Sequence, residues 1–92
     1  MAHTIRDKRK LISRVHRIRG QIEAVEKALV EERDCHSILQ TIAACRGAIN
    51  GLMAEVMEGH IRHHVLNPDR DPASGEARAA QELIDIVKTY LK

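Results

Sequence analysis

The sequence has 92 residues, a formal net charge of +2, no Phe or Trp and a single Tyr. This length allows one domain, residues 1–92, with a core built from aliphatic side chains. The two cysteines do not make a disulfide framework, no apolar run approaches the ~20 residues that span a bilayer, and no leader-like segment opens the sequence. We therefore expect a cytoplasmic protein that does not enter a membrane.

A first helix is predicted from an N-cap at Thr4 to about Val30. Its apolar positions alternate spacings of four and three, which is typical of a helix packed on other helices; they are Leu11, Val15, Ile18, Ile22, Val25 and Leu29. Residues 1–20 carry seven basic side chains against one acidic one, whereas residues 21–92 carry eight basic and twelve acidic. The basic start of the chain is a candidate surface for a polyanion.

This first helix also supplies a candidate DNA-binding set. Basic charge concentrated in a fifth of the chain and repeated in every subunit of an oligomer favours phosphate contact over a merely solvated helix face. The predicted DNA-binding residues are Lys10, Arg14, Arg17 and Arg19. The sequence contains no pattern of a helix-turn-helix, zinc finger or basic zipper, so we expect readout of DNA shape and phosphates.

A short connection, about residues 31–34, leads to a second long helix over residues 34–65 with Asp34 as its N-cap. A connection this short predicts an antiparallel hairpin of the two helices. The apolar or small positions of the second helix again alternate spacings of four and three; they are Ile38, Ile42, Cys45, Ile49, Leu52, Val56 and Gly59. Cys45 is interpreted as core packing, and Arg46 as either an ion-pair partner or a DNA contact.

The two ends of the second helix carry a candidate metal site. Cys35 lies in its first turn, where the helix dipole favours a thiolate, and His60 and His64 lie one turn apart near its end. The 25 residues between Cys35 and His60 span about 37 Å of helix, so one chain cannot bring them together. A second copy running antiparallel could, which predicts a homodimer with two equivalent sites between subunits.

Further ligands are left open at this site. His3 is expected near His60 and His64 because the hairpin returns the second helix to the start of the first. The amine of Ala2, after removal of Met1, and His63 are weaker candidates. Imidazoles with a single thiolate suit Ni(II), Co(II) or Zn(II), whereas the lack of a second thiolate argues against Cu(I).

The segment that follows Leu66 predicts a loop and then a third helix. The run NPDRDPASG contains both prolines and is interpreted as a loop of about nine residues. The third helix is expected from Ser74 or Gly75 to Leu91, with an apolar stripe that packs on the hairpin or on a neighbouring subunit. The stripe consists of Leu83, Ile84, Val87, Tyr90 and Leu91.

Several segments together resemble the CsoR/RcnR family of all-helical bacterial repressors over essentially the whole chain. They are HTIRDKRKL at the start, RIRGQ at 17–21, DC at 34–35 and ILQTIAACRGAINGLMAEVMEGHI at 38–61. The resemblance implies a three-helix subunit whose hairpins pair into a four-helix bundle, with further assembly of two dimers into a homotetramer.

The resemblance also implies which effector is sensed. The metal ligands of the nickel/cobalt branch are matched by His3, Cys35, His60 and His64. The implied function is a repressor that binds operator DNA when metal-free and releases it on binding Ni(II) or Co(II), which derepresses metal efflux; Zn(II) is expected to bind the same donors in vitro. The loop NPDRDPASG matches none of the known branches closely.

Three other functions are weighed against this one. A formaldehyde-sensing repressor would use Cys35 and the N-terminal amine, but that branch usually has Pro at position 2 and an acidic residue at position 64, where this chain has Ala2 and His64. A metal buffer would bind DNA weakly and without a response to metal. An enzyme is not expected, because no acid/base pair or nucleophile triad can be assembled with a pocket around it.

Overall fold

The computed structural model describes Ile5 and residues 7–91 and contains three long α-helices. They are α1 (Lys8–Val30), α2 (Cys35–His60) and α3 (Gly75–Tyr90), and a π-helical turn at Ile61–Val65 directly continues α2. Loops connect the helices of the described residues, and no strand occurs among them. The all-α prediction is therefore confirmed. No described helix is both long and apolar enough to cross a membrane.

The first helix ends where predicted, but its long regular part begins later. The backbone of Asp7 occupies the N-cap position of α1 without a side-chain capping bond, and the amide of Leu11 donates to the Asp7 carbonyl at 2.9 Å. Ile5 is helical and Asp7 lies in a turn. The predicted cap Thr4 lies outside the described residues.

The hairpin turn at residues 31–34 is held by a Schellman motif followed by an N-cap. The Arg33 amide donates to the Ala28 carbonyl and the Glu32 amide to the Leu29 carbonyl, which is the pattern of two nested bonds that satisfies the last carbonyls of a helix. Glu32 takes the left-handed position with φ 54°. Asp34 then caps α2 by accepting from the Ser37 amide at 3.2 Å. The predicted connection and cap are confirmed.

The hairpin and α3 form a thin subunit with a small core. The Cα atoms extend over 55 × 25 × 13 Å, so the subunit is long and thin. The core cluster joins Ala54 and Ile61 to Ile84 and Val87 of α3, with Leu91 packed against it. A subunit this thin cannot bury the apolar residues on all of its sides.

The apolar stripes predicted from spacing are accordingly only half buried. Ile18 of α1 is buried, whereas Ile22 remains 52% exposed. On α3, Ile84 is fully buried but Leu83 is 46% and Tyr90 80% exposed. Within one subunit only the inner edge of each stripe meets a neighbouring helix, so the prediction that the third-helix stripe packs on the hairpin or on a neighbouring subunit is met in part by the hairpin.

The second helix differs from the prediction of one continuous α-helix over residues 34–65. The α-helical part ends at His60, and Ile61–Val65 widens into a π turn closed by the Leu66 amide on the Ile61 carbonyl at 2.8 Å. Ile61 is buried in the core there. Isolated π turns occur frequently at functional sites.

Candidate metal and DNA-binding sites

Cys35 stands at the first position of α2 and is exposed. The Asp34 carboxylate next to it accepts hydrogen bonds from the Ser37 hydroxyl at 2.7 Å and the Ser37 amide at 3.2 Å. These two bonds hold the pKa of Asp34 below its ordinary value. The backbone at the start of α2, which carries Cys35, is thus fixed by the hydrogen bonds between Asp34 and Ser37.

The two predicted histidine ligands lie together at the other end of the same helix. The ring centroids of His60 and His64 are 5.3 Å apart with an angle of 32° between the ring planes. His60 closes α2 and His64 belongs to the π turn. Two imidazoles this close can both reach one ion after small rotations of their side chains.

A network of ion pairs anchors the π turn to α2, the loop and α3. Arg62 contacts Glu58 at 3.0 Å and Asp69 at 3.2 Å, and Lys88 of α3 contacts Glu58 at 3.4 Å. Partial burial alone would raise the pKa of Glu58, but the hydrogen bond from Arg62 and the charges of Lys88 and Arg62 outweigh it and leave this pKa below its ordinary value. The network therefore stabilises the turn that carries the histidines.

The thiol and the imidazoles do not meet within one chain. The α-helix between Cys35 and His60 is unbroken over 26 residues, so the two positions are about 37 Å apart along the axis. Among Ile5 and residues 7–91, no three His, Cys, Asp or Glu side chains lie close enough together to hold a metal. A site that contains Cys35 must take other ligands from outside the described part of this chain.

Cys35 and His60 share one exposed side of α2, which we call the α2 face. At 100° per residue its members fall within about 80° of one another. They are Cys35, Leu39, Ile42, Arg46, Ile49, Met53, Met57 and His60, all of which are exposed. Leu39, Ile42 and Ile49 keep 57, 43 and 42% of their surface in solvent, which is unusual for large aliphatic side chains in a contiguous row.

The other residues singled out from the sequence differ in exposure and position. His3 and Ala2 lie outside the described residues. His63 is exposed and lines a cleft with Lys10, Glu58 and Lys88. Cys45 is buried, in agreement with its interpretation as core packing. Arg46 is exposed at the middle of the α2 face and borders an apolar groove of about 310 Å³ between α1 and α2.

The four predicted DNA-binding residues do not share one side of α1. Lys10 and Arg14 point toward α2, where both contact Glu55, at 3.3 and 3.2 Å. Arg17 and Arg19 are exposed. Lys10 and Arg19 are nine residues apart, which is about 180° around the helix. Lys10 and Arg14 therefore form an inner pair held by a carboxylate. Arg17 lies within about 20° of Lys10 but is in solvent, and Arg19 lies on the opposite side of α1.

Sequence reasoning missed Glu55 as the partner of this pair, although the hairpin register contains the signal. The turn at residues 31–34 makes α1 and α2 antiparallel, so Lys10 lies opposite Glu55 and Arg14 lies opposite Gly51. The buried Gly51 leaves room for the Arg14 guanidinium, since a Cβ there would come within 3.3 Å of Arg14 Nη1. Counting residues outward from the turn along both helices predicts that Lys10 lies opposite Glu55 and that Arg14 lies opposite Gly51.

Comparison with known proteins decides the family. The model of a family described as metal-sensitive transcriptional repressors matches residues 7–89. The chain belongs to the metal-sensitive transcriptional repressor family. Since this family and its relatives named RcnR are transcriptional repressors, the prediction of a regulator rather than an enzyme is confirmed, as is the resemblance to CsoR/RcnR proteins.

Relatives of this metal-sensitive repressor match over their full length. It is 46% identical to the transcriptional repressor RcnR of Salmonella paratyphi B, with complete coverage of both chains. It is 48% identical to an uncharacterised protein in the bioA 5' region of Serratia marcescens, again with complete coverage. Among solved structures, a histidine-for-glutamate variant of the formaldehyde-responsive regulator FrmR from Salmonella enterica serovar Typhimurium matches with a TM-score of 0.63 and 41% identity, over 92% of this chain and 94% of that one.

Proposed function

We propose that this repressor senses Ni(II) or Co(II) at two sites between antiparallel subunits and releases operator DNA when they are filled. The observation that carries the proposal is the α2 face, on which Cys35 and His60 flank a row of exposed apolar residues. Water-exposed aliphatic side chains favour association with a second surface of the same kind. A two-fold axis through the middle of α2 would cover this row and join its two ends.

The register of such a pairing follows from the positions on α2. An antiparallel copy that sets Cys35 opposite His60 of the partner subunit also sets Ile42 opposite Met53 of the partner subunit. Both are exposed apolar residues in the single chain, 43% and 46% respectively. The pairing that would build the metal site is thus also one that would bury apolar surface, at about 25 cal/mol per Å².

The donor set fits borderline divalent metals. One exposed thiol and two adjacent imidazoles are nitrogen and sulfur ligands of the kind bound by Ni(II), Co(II) and Zn(II). In the proposed site Cys35 comes from one subunit and His60 and His64 from the other, with His3 as the fourth protein ligand. The family relatives named RcnR support the nickel/cobalt assignment.

Further assembly into a dimer of dimers is part of the proposal. Leu83, Ile86 and Tyr90 form an exposed stripe on α3, with 46, 46 and 80% of their surfaces in solvent. The mean direction of these three side chains is about 100° around α3 from that of Ile84 and Val87, which face the core. The stripe offers a second apolar surface, separate from the α2 face, through which dimers could join into a homotetramer.

DNA binding is proposed for Lys10, Arg14, Arg17 and Arg19. The exposed Arg17 would contact phosphate directly, and Arg19, on the other side of α1, would reach a different stretch of the DNA backbone. Metal binding across the dimer would favour an arrangement of subunits in which these cations no longer match the duplex. Such coupling between two ligands is typically about 1–3 kcal/mol, and it would relieve repression of a metal-efflux gene.

The direct test is to titrate the repressor into a labelled promoter duplex, taken from upstream of the gene that encodes the repressor. Fluorescence anisotropy then measures the DNA affinity with and without metal. Excess Ni(II) or Co(II) should weaken binding about 5- to 150-fold. Cys35→Ser should abolish the response, whereas His36→Gln, which changes an exposed neighbour outside the proposed site, should retain it. If neither metal changes the affinity of the wild type, the proposal fails.

The second candidate is a formaldehyde-sensing repressor, which the structural similarity to FrmR favours. The Cys35 thiolate would attack the aldehyde carbon, and condensation with the amine of Ala2 from the other chain would expel water and leave a methylene bridge. Mass spectrometry of treated protein would then find chains linked with the added mass of one carbon atom. Because His64 supplies an imidazole beside His60, we place metal sensing first.

A further inference from the structure

One carboxylate on α2 holds two of the cations proposed to contact DNA. Glu55 Oε2 lies 3.3 Å from Lys10 Nζ, and Glu55 Oε1 lies 3.2 Å from Arg14 Nη2. Each oxygen of Glu55 thus receives one cation. The Glu55 side chain is 24% exposed and that of Arg14 33%, whereas Lys10 is 64% exposed.

The Arg14 side chain packs over a glycine of α2. Gly51 is buried and lies one helical turn before Glu55, and its missing Cβ leaves space for Arg14 Nη1. The guanidinium therefore passes over Gly51 to reach the carboxylate on the same side of α2. A Cβ at position 51 would require the end of the Arg14 side chain to shift by a few tenths of an ångström.

The cleft beside Lys10 and Glu55 has equal numbers of acidic side chains and of lysine and arginine side chains. Its lining includes three acidic side chains, Asp7, Glu55 and Glu58, and three basic ones, Lys10, Arg62 and Lys88. A DNA phosphate gains little from entering a neutral cleft already crossed by ion pairs. To bind phosphate, Lys10 and Arg14 must leave Glu55 and turn to the surface, or share their N–H donors with it.

We propose that Glu55 lowers the DNA affinity of the repressor by competing with phosphate for Lys10 and Arg14. This inference rests on the proposed DNA-binding role of α1. Arg17, which is exposed, binds phosphate without this competition. Lys10 and Arg14 contribute only the binding free energy that remains after the cost of displacing Glu55. Glu55 thereby keeps sequence-independent binding weak, so that the bound and released states remain close enough in free energy for an effector to switch them.

The test compares Glu55→Gln with Glu26→Gln on a labelled 30-base-pair duplex of mixed sequence, without metal, at about 50 to 200 mM salt. Glu26→Gln removes the same charge from an exposed site on α1 about 24 Å from Lys10 along the axis, beyond the ~10 Å Debye length. We expect Glu55→Gln to bind about three- to tenfold more tightly and to steepen the dependence of log K on log salt by about 1 to 2. Glu26→Gln should stay within about twofold of the wild type.

A double-mutant cycle identifies the partners of Glu55. In a Lys10→Ala/Arg14→Ala background, Glu55→Gln should have no effect, because the cations it competes for are gone. Circular dichroism should find the same helix content in all variants. Since the amide of Gln is close in size to the carboxylate, the fold should tolerate the change.

Four results are decisive. Weaker binding by Glu55→Gln would mean that Glu55 positions Arg14 for DNA, and unchanged binding would mean that it does not compete; either result overturns the inference while DNA binding stands. An effect that persists in the double-alanine background overturns it as well. If the wild type binds the duplex without salt dependence, the proposed DNA-binding function itself falls, and the inference falls with it.

Discussion

Cys35 and His60 lie on the same face of one unbroken helix, at opposite ends and about 37 Å apart. The residues between them on that face are mostly large, apolar and exposed. In the proposed dimer, a metal site and a subunit interface would therefore be two consequences of the same helix face, since the pairing that covers the apolar row would also join the thiol to the imidazoles.

The identity of residue 64 should separate metal sensing from aldehyde sensing. His64→Glu removes one of two imidazoles whose rings are 5.3 Å apart, but it leaves Cys35 and the N-terminal amine in place. We expect at least a tenfold loss of apparent Ni(II) affinity, about 1.4 kcal/mol, with little change in any response to formaldehyde. Anisotropy titrations of the promoter duplex with each effector measure both. Equal loss of the two responses would count against the nickel/cobalt assignment.

Arg17 and Arg19, the exposed arginines of the proposed DNA-binding set on α1, should each contribute to phosphate binding. Arg17→Ala and Arg19→Ala should each reduce the slope of log K against log salt by about 1, as expected for the loss of one phosphate contact. Arg33→Ala is the matched control, because Arg33 lies in the hairpin turn and contacts Glu31 instead. A slope that does not change in Arg19→Ala would remove that residue from the DNA-binding set.

The left-handed residue in the hairpin turn should be improved by glycine. Glu32 adopts φ 54°, a conformation that costs a side-chain-bearing residue about 1–2 kcal/mol and costs glycine little. Allowing for the greater entropy of glycine in the unfolded chain, Glu32→Gly should raise the free energy of unfolding by about 0.5–1 kcal/mol. Chemical denaturation at fixed protein concentration measures this. Glu31→Gly, at φ −82°, should not stabilise; if both variants behave alike, strain at Glu32 is not the cause.

Asp34 should make stability depend on pH. Its pKa in the folded protein is below the ordinary value of 3.8 because the Ser37 hydroxyl and amide donate to the carboxylate. The stabilisation of the fold by the charged Asp34 carboxylate is therefore fully present above the ordinary pKa, and it is lost as the pH falls through the lowered pKa. Asp34→Asn keeps an N-capping side chain that does not titrate.

The comparison of wild type with Asp34→Asn isolates this effect, since Glu58 and the other carboxylates are common to both proteins. Thermal unfolding should find the wild type more stable near neutral pH and the difference shrinking at about pH 3 and below. A difference that stays constant over this range would rule out a stabilising charge at Asp34.

The hairpin was predictable because local signals agree with the global fold. The turn at residues 31–34, the Asp34 cap, the proline-containing loop and the third helix all follow from spacing and capping residues, and the structure confirms them. The π turn at Ile61–Val65 was not predictable, because it depends on burial of Ile61 and on the contacts of Arg62 with the loop and α3. No periodicity within one helix encodes those.

The composition of the candidate site remains a prediction from the sequence, and its surroundings could not be predicted. The spacing of Cys35, His60 and His64 within one long helix was sufficient to predict that the thiol and the imidazoles do not meet in a single chain. The sequence did not indicate which side of each stripe faces its own hairpin, so Ile42 and Ile49 were assigned to one seam with Cys45, whereas only Cys45 is buried. The Glu55 contacts were missed because they join two helices, and pairing across a hairpin must be counted through the turn.

Complementation between two defective variants tests the shared site most directly. Cys35→Ala and His60→Ala/His64→Ala should each fail to form a cobalt site with thiolate-to-metal charge-transfer absorption. Mixed and allowed to exchange subunits, they should recover one intact site per dimer and up to about half of the wild-type signal in mixed dimers, because one chain supplies the imidazoles and the other the thiolate. Mixtures that show confirmed subunit exchange but no recovered signal would contradict the shared site.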